Sequence, residues 1–216
     1  MHKSINNLIS VKKELEIKSQ NQSVEIIAVS KTFPIDQILP LIEYGHKHFG
    51  ENKVQEAIVK WSDLKLKNKK INLHLIGKLQ SNKVKNAVKI FDYIHSLDNI
   101  KLANKIAVEQ KKINKSLKLF IQINIGNEDQ KNGLMPDNLK NFYNQCINEL
   151  NLNIIGLMCI PPKTGNMRDY FYRMLELKNS VGLKDLSMGM SNDYLEAANC
   201  GASFLRIGSK IFGERN

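Results

Sequence analysis

The sequence predicts a (β/α)8 barrel with an additional N-terminal helix. Three observations carry this expectation. Eight short apolar runs alternate with helix-like segments along the chain. The runs are often unbroken Val/Ile/Leu stretches, as expected for strands covered on both faces. No low-complexity linker interrupts the 216 residues, so one domain spanning 1–216 is expected. A doubly wound open sheet is the alternative arrangement for the same alternation.

The elements follow in order. The opening "MHKSINNLISVKKELEIKSQ" lacks the apolar core of a signal peptide and reads as an amphipathic helix. The first strand is expected at 24–30, where Ile26, Ile27, Ala28 and Val29 form an apolar run, with a helix at 35–45. Strands at 47–50, 72–76 and 92–96 precede helices at 52–66, 81–89 and 99–114. The strand at 117–125 precedes a helix at 136–149, and the strand at 153–159 one at 166–180. A strand at 185–188 leads to a helix at 192–199, and the last strand, 203–207, to a short helix from 209.

Composition narrows the function classes. No apolar run approaches the ~20 residues of a membrane span, so a cytoplasmic protein is expected. Cys146, Cys159 and Cys200 are an odd set without paired spacing. They suggest buried or incidental thiols, not a disulfide framework or zinc site. "HKH" at 46–48 has no evident partner ligands, so it reads as two partly exposed imidazoles and no metal is expected. The net charge is +11, yet only Arg168, Arg173, Arg206 and Arg215 are arginines. The lysines are scattered, which suits a compositional bias at least as well as a nucleic-acid surface. "KLKNKK" (65–70) and "KKINKSLK" (111–118) fall where solvated loops are expected.

Strand parity brings chemistry to one end of the barrel. Side chains alternate across a strand, so Ile27, Val29 and Lys31 share a face. Phe120, Gln122 and Asn124 share a face in the fifth strand, and Phe204, Arg206 and Gly208 in the eighth. The purely aliphatic faces should meet the helices. Lys31, Gln122, Asn124 and Arg206 should then converge on the barrel interior or its mouth, where charge is costly unless paired or bound. The strand ends carry small residues, amides and hydroxyls and few carboxylates. That argues against metal-dependent chemistry and a carboxylate acid/base pair.

Two stretches have the character of phosphate sites. "GMSND" follows the seventh strand and "IGSKIFG" the eighth, each before a helix. Glycine admits close approach to an anion, and a helix start offers free N–H groups. Ser191 and Ser209 could instead cap those helices, Asn52 could cap the helix after it, and His74 could be a satisfied core histidine. Arg206 could pair with Glu51 or Glu214. A lysine on strand one, a phosphate cradle after strands seven and eight, and an inward arginine would together suit pyridoxal 5′-phosphate (PLP).

The motifs "AVSKTFP", "FGENKVQE", "HLIGKLQSNK", "GLMCIPP", "LSMGMSND" and "LRIGSKIFGER" occur in that order and cover nearly the whole chain. In them the chain resembles the PLP homeostasis protein family, whose fold is that of the N-terminal barrel of alanine racemase. The resemblance implies that Lys31 carries PLP as an imine, that Asn52 lies beside the cofactor, and that Arg206 faces the pyridine nitrogen. It implies that Ser191, Gly208 and Ser209 hold the phosphate, and that His74 and Asn124 line the pocket. Two departures stand out. Leu73 replaces the usual aromatic residue before "HLIG", and the segment between "IPP" and "LSMGMS" looks shortened, with its helix trimmed.

The function implied is noncatalytic buffering, shielding or delivery of PLP, with PLP-dependent apoenzymes as recipients and a monomeric state expected. An amino-acid racemase is the alternative, and a basic nucleic-acid-binding protein the remote one. Racemisation needs a second base. In the racemases that base is a tyrosine from a further C-terminal domain, which is not expected after Asn216.

Overall fold

The computed structural model describes residues 2–19, 23–128 and 130–214. Eight parallel strands close into a barrel in chain order. They are β1 (Glu25–Val29), β2 (His48–Glu51), β3 (Asn72–Leu75), β4 (Tyr93–Leu97), β5 (Lys118–Ile123), β6 (Ile154–Cys159), β7 (Asp185–Ser187) and β8 (Phe204–Ile207). Closure is made by β1 against β8, with Glu25 opposite Phe204 and Ala28 opposite Ile207. The barrel expectation holds, and the open-sheet alternative does not.

Helix α1 (Lys3–Lys18) buries Ser4, Leu8, Val11 and Leu15 along one stripe. It packs beside the closing seam, where Asn7 Nδ2 donates to the Ile211 carbonyl at 2.9 Å. The outer helices are α2 (Ile35–Glu43), α3 (Val54–Lys67), α4 (Val84–Ile90), α5 (Ile100–Lys112), α6 (Leu139–Asn144), α7 (Met167–Ser180), α8 (Tyr194–Asn199) and α9 (Ser209–Phe212). The expected 136–149 helix is composite. A 3-10 turn begins at Pro136, α6 follows, and a wide π turn spans Gln145–Glu149. Between Pro162 and β7 the chain forms α7, a helix of 14 residues and about four turns.

Two apolar layers bear out the parity argument. Ile26, Ala28, Leu205 and Ile207 belong to the outer layer between sheet and helices, with Trp61 and Leu73. Ile27, Tyr93, Phe120, Met158 and Phe204 fill the barrel interior. The "KLKNKK" stretch is not wholly a loop: Lys65 and Lys67 end α3, where cations complement the helix dipole. The three cysteines are buried and unpaired, and burial pushes the Cys146 and Cys159 thiols up to about 12. No group of His, Cys, Asp or Glu suited to a metal occurs among the described residues. Among them, no helix is long and apolar enough to cross a membrane.

Candidate functional site

The barrel opens at the carboxyl ends of its strands into a cavity of about 880 Å3. Lys31, Asn52, Ser191, Arg206, Gly208 and Ser209 all line it. They come from the ends of β1, β2, β7 and β8. Barrel closure brings these ends together because β1 hydrogen-bonds to both β2 and β8. Gln122 also lines the cavity and donates to the Asn132 carbonyl at 3.2 Å. A smaller cavity of about 560 Å3 lies between α3 and α4, away from this mouth.

Lys31 stands just after β1, at a sharp turn. The next residue, Thr32, adopts a φ of 68°. A β-branched residue in the left-handed region is strained and persists only where its surroundings enforce it. Here the enforcement is visible. The Thr32 N–H donates to Glu56 Oε1 at 2.7 Å. Lys60 Nζ donates to the Ser30 carbonyl at 2.9 Å and to Glu51 Oε1 and Glu56 Oε1 at 3.0 Å each. Ser30 Oγ and Trp61 Nε1 also donate to Glu51 Oε1, at 2.7 and 3.0 Å. Both peptide groups flanking Lys31 are therefore tied to charged side chains behind the strand. Burial raises the Glu51 pKa, opposed by the bonds from Trp61 and Lys60.

Asn52 does not cap α3. That helix starts at Val54 with Lys53 in the cap position and no side-chain cap bond. Gly77 permits the close packing beneath Asn52, since an added Cβ would stand 2.4 Å from the Asn52 carbonyl oxygen. Ser191 and Ser209 are not helix caps either. Asp193 and Gly208 occupy the cap positions of α8 and α9, and neither makes a side-chain cap bond. Asp193 Oδ1 instead accepts from the Met190 N–H at 2.5 Å, shaping the turn that presents Ser191. Gly189, at φ 85°, makes that turn possible.

Arg206 is buried, and it pairs with neither Glu51 nor Glu214. Nη1 donates to Ser187 Oγ at 2.8 Å, and Nη2 donates to the Cys159 carbonyl at 2.7 Å. Burial pulls its pKa down from the ordinary value, opposed by Cys159 and Asp193. The guanidinium carries five N–H donors, so two bonds leave capacity for a further acceptor in the cavity.

His74 and Asn124 are placed differently from the expectation. His74 does not line the cavity. It is fully buried in the barrel interior, stacked on Tyr93 and hydrogen-bonded to His48 and His95. It sits a strand pleat below the mouth, so the rings around it satisfy both of its nitrogens. Asn124 turns into its own loop, donating to the Glu128 carbonyl at 2.8 Å and accepting from the Glu128 N–H at 3.2 Å. Sequence reasoning missed the Glu51–Lys60–Glu56 clamp and the histidine run. Extending the parity count to β2, β3 and β4 puts His48, His74 and His95 on the inward face.

Lysine, hydroxyls, a carboxamide and a guanidinium gather around one mouth, a donor-rich pocket at the carboxyl ends of a closed parallel barrel. A family model described as alanine racemase, N-terminal domain, matches residues 9–216. The pyridoxal phosphate homeostasis protein of Haemophilus influenzae is 38% identical, over 97% of this chain and 94% of that protein. The chain belongs to the pyridoxal phosphate homeostasis protein family. The structure of PipY from Synechococcus elongatus with PLP bound is similar at a TM-score of 0.85 and 34% identity, covering 97% of this chain and all of that one. Alanine racemase of Clostridium difficile shares the fold at a TM-score of 0.73 and 14% identity, with 57% of that chain covered.

Proposed function

We propose that this protein binds PLP in the 880 Å3 cavity and serves PLP homeostasis by buffering, shielding or delivering the cofactor. The observation that carries the reading is the placement of Lys31 in one cavity with Ser191, Ser209 and Arg206. The donor set fits the ligand group by group. Lys31 would supply the amine for the aldehyde, and Asn52, in the same cavity wall, would adjoin the cofactor. Ser191, Ser209 and the backbone at Gly208 receive the phosphate; the two hydroxyls have no hydrogen-bond partner among the described residues. Arg206 would offer its remaining N–H donors to the cofactor's ring. Bound there, the cofactor supplies a reactive aldehyde that an amine captures reversibly and the barrel wall shields from stray amines.

The reading is noncatalytic. The titratable groups lining the cavity, among the described residues, are Lys31, Lys78, Lys163, Asp193 and Arg206. No tyrosine, histidine or cysteine is among them, and Asp193 is engaged with the Met190 amide. Lys78 donates to Asn132 Oδ1 at 2.5 Å across the mouth. A racemase needs a second acid/base group opposite the lysine, and the tyrosine that serves in that role in racemases has no counterpart in this lining. The protein acts as a cytoplasmic monomer in this reading, with PLP-dependent apoenzymes as recipients. Light scattering at micromolar concentration tests the monomer.

The decisive experiment is the visible spectrum of the purified, PLP-loaded protein before and after borohydride, followed by peptide mapping. The expected label is on Lys31, and Lys31→Ala abolishes both the band and the label. A label on another lysine with Lys31 unmodified overturns the assignment.

A further inference from the structure

Three histidines cross the barrel interior in an unbroken line. His48 Nδ1 lies 2.9 Å from His74 Nε2, and His74 Nδ1 lies 2.9 Å from His95 Nε2. His95 Nδ1 lies 2.9 Å from Ser187 Oγ, which also receives Arg206 Nη1 at 2.8 Å. Aromatic neighbours hold the rings in place. His74 stacks on Tyr93 at 4.0 Å, and His95 on Phe120 at 4.3 Å. At the far end His48 begins β2 with its side chain 13% exposed, and its Nε2 lies 3.9 Å from Glu25 Oε2.

The chemistry of the end group orients the whole line. A guanidinium only donates, so Ser187 Oγ must accept from Arg206. A serine has one proton. Among the described residues the only other partner of Ser187 Oγ is His95, so the arrangement that leaves no buried hydroxyl proton unpaired sends it to His95 Nδ1. A neutral ring accepting at Nδ1 carries its proton on Nε2. His95 then donates to His74 Nδ1, His74 donates to His48 Nδ1, and His48 Nε2–H points outward toward Glu25. Burial supports neutral rings, pushing His74 and His95 well below the ordinary histidine value.

We propose that His95 and His74 are positioning residues for Arg206. Their one-way hydrogen-bond line keeps the Ser187 hydroxyl an acceptor and so fixes the guanidinium in one orientation at the floor of the cavity. With the line broken, the Ser187 proton loses its acceptor and competes with the guanidinium. Arg206 is then held only by the Cys159 carbonyl. The inference rests on the PLP-binding reading for its consequence but not for its geometry.

Two measurements test it. Nitrogen-15 spectra of the histidine-labelled protein without PLP should show His74 and His95 neutral, with the proton on Nε2, at neutral pH. A proton on Nδ1 of either ring, or a charged ring, overturns the polarity. This arm holds even if the protein binds no PLP. In the second arm, His95→Phe keeps a ring against Phe120 and removes both nitrogens, while Ser187→Ala removes the acceptor. Each should shift the visible band of the PLP-loaded protein and weaken PLP binding about tenfold, the size of one lost bond to a charged group. Lys31 should still be labelled by borohydride. The double variant should add no further shift, because both changes break one line. Additive effects, or a parent-like band and affinity in a folded His95→Phe, would show that the histidines only pack. If the parent shows no band at all, the PLP reading fails while the tautomer result stands.

Discussion

Lys60 Nζ lies 2.9 Å from the main-chain carbonyl oxygen of Ser30, thirty residues earlier and directly before Lys31. The same ammonium neutralises Glu51, whose side chain is wholly buried and whose Oε2 has no hydrogen-bond partner among the described residues. A single charge thus joins β1, β2 and α3 behind the strained turn that carries the key lysine.

Removing that charge should be costly. Lys60→Met leaves Glu51 buried without its counter-ion, and breaking such a pair typically costs about 3–5 kcal/mol. Urea unfolding of the PLP-free protein measures it. The loss should shrink as pH falls and Glu51 takes up a proton. A midpoint equal to that of the parent protein at neutral pH would show that the clamp contributes nothing.

The phosphate end of the site is testable by subtraction. Each hydrogen bond to a charged acceptor contributes roughly 1.5–3 kcal/mol. Replacing Ser191 and Ser209 together by alanine should therefore weaken PLP binding about a hundredfold or more, at about 1.4 kcal/mol per decade. Pyridoxal, lacking the phosphate, should bind poorly to the parent protein. Equal affinities for PLP and pyridoxal would remove the phosphate from this corner of the cavity.

The PLP-loaded protein should not racemise amino acids at an appreciable rate. Incubation with L-alanine in deuterated water separates the steps. Slow exchange at Cα without inversion fits a single lysine acting on one face. Loss of acid/base catalysis on the other face is typically worth about 10²–10⁴-fold in rate. Rapid formation of the D-isomer, abolished in Lys31→Ala, would require a second base and end the noncatalytic reading.

Acid should destabilise the fold from about pH 6.5 downward, the ordinary histidine value in the unfolded chain. Burial pulls His46 down to about 4 in the folded protein, and holds His74 and His95 well below the ordinary histidine value. Between the two values the unfolded chain binds more protons, so stability is complete above the unfolded pKa and is lost as pH falls. For His46 alone the difference is worth roughly 3 kcal/mol. Glu51 works in the opposite sense, because its folded pKa is raised and its charge is disfavoured by burial. The histidines outnumber it, so the thermal midpoint should fall between pH 7 and pH 5. A flat or rising profile would mean that these rings are charged in the folded state.

Much of this was readable from the chain alone. Unbroken apolar runs such as Ile26–Val29 read as strands covered on both faces, and their alternation with helical segments pointed to a barrel or an open doubly wound sheet, between which closure of β1 on β8 decided. Period-two alternation placed Lys31 and Arg206 on the inward face without any knowledge of the neighbours. The order of the motifs specified the family. What the sequence could not decide were contacts between residues distant along the chain. Asn52, Ser191 and Ser209 each had an equally good local role as a helix cap, and only the observed helix starts at Val54, Tyr194 and Ser209 removed it. His74 is six residues from the "QSNK" turn in sequence, yet its partners come from β2 and β4. Barrel closure chooses those partners, because strand register determines which side chains share a layer. The Lys60 clamp depends on α3 packing over the end of β1. Such pairings are long-range and depend on geometry that no local pattern encodes.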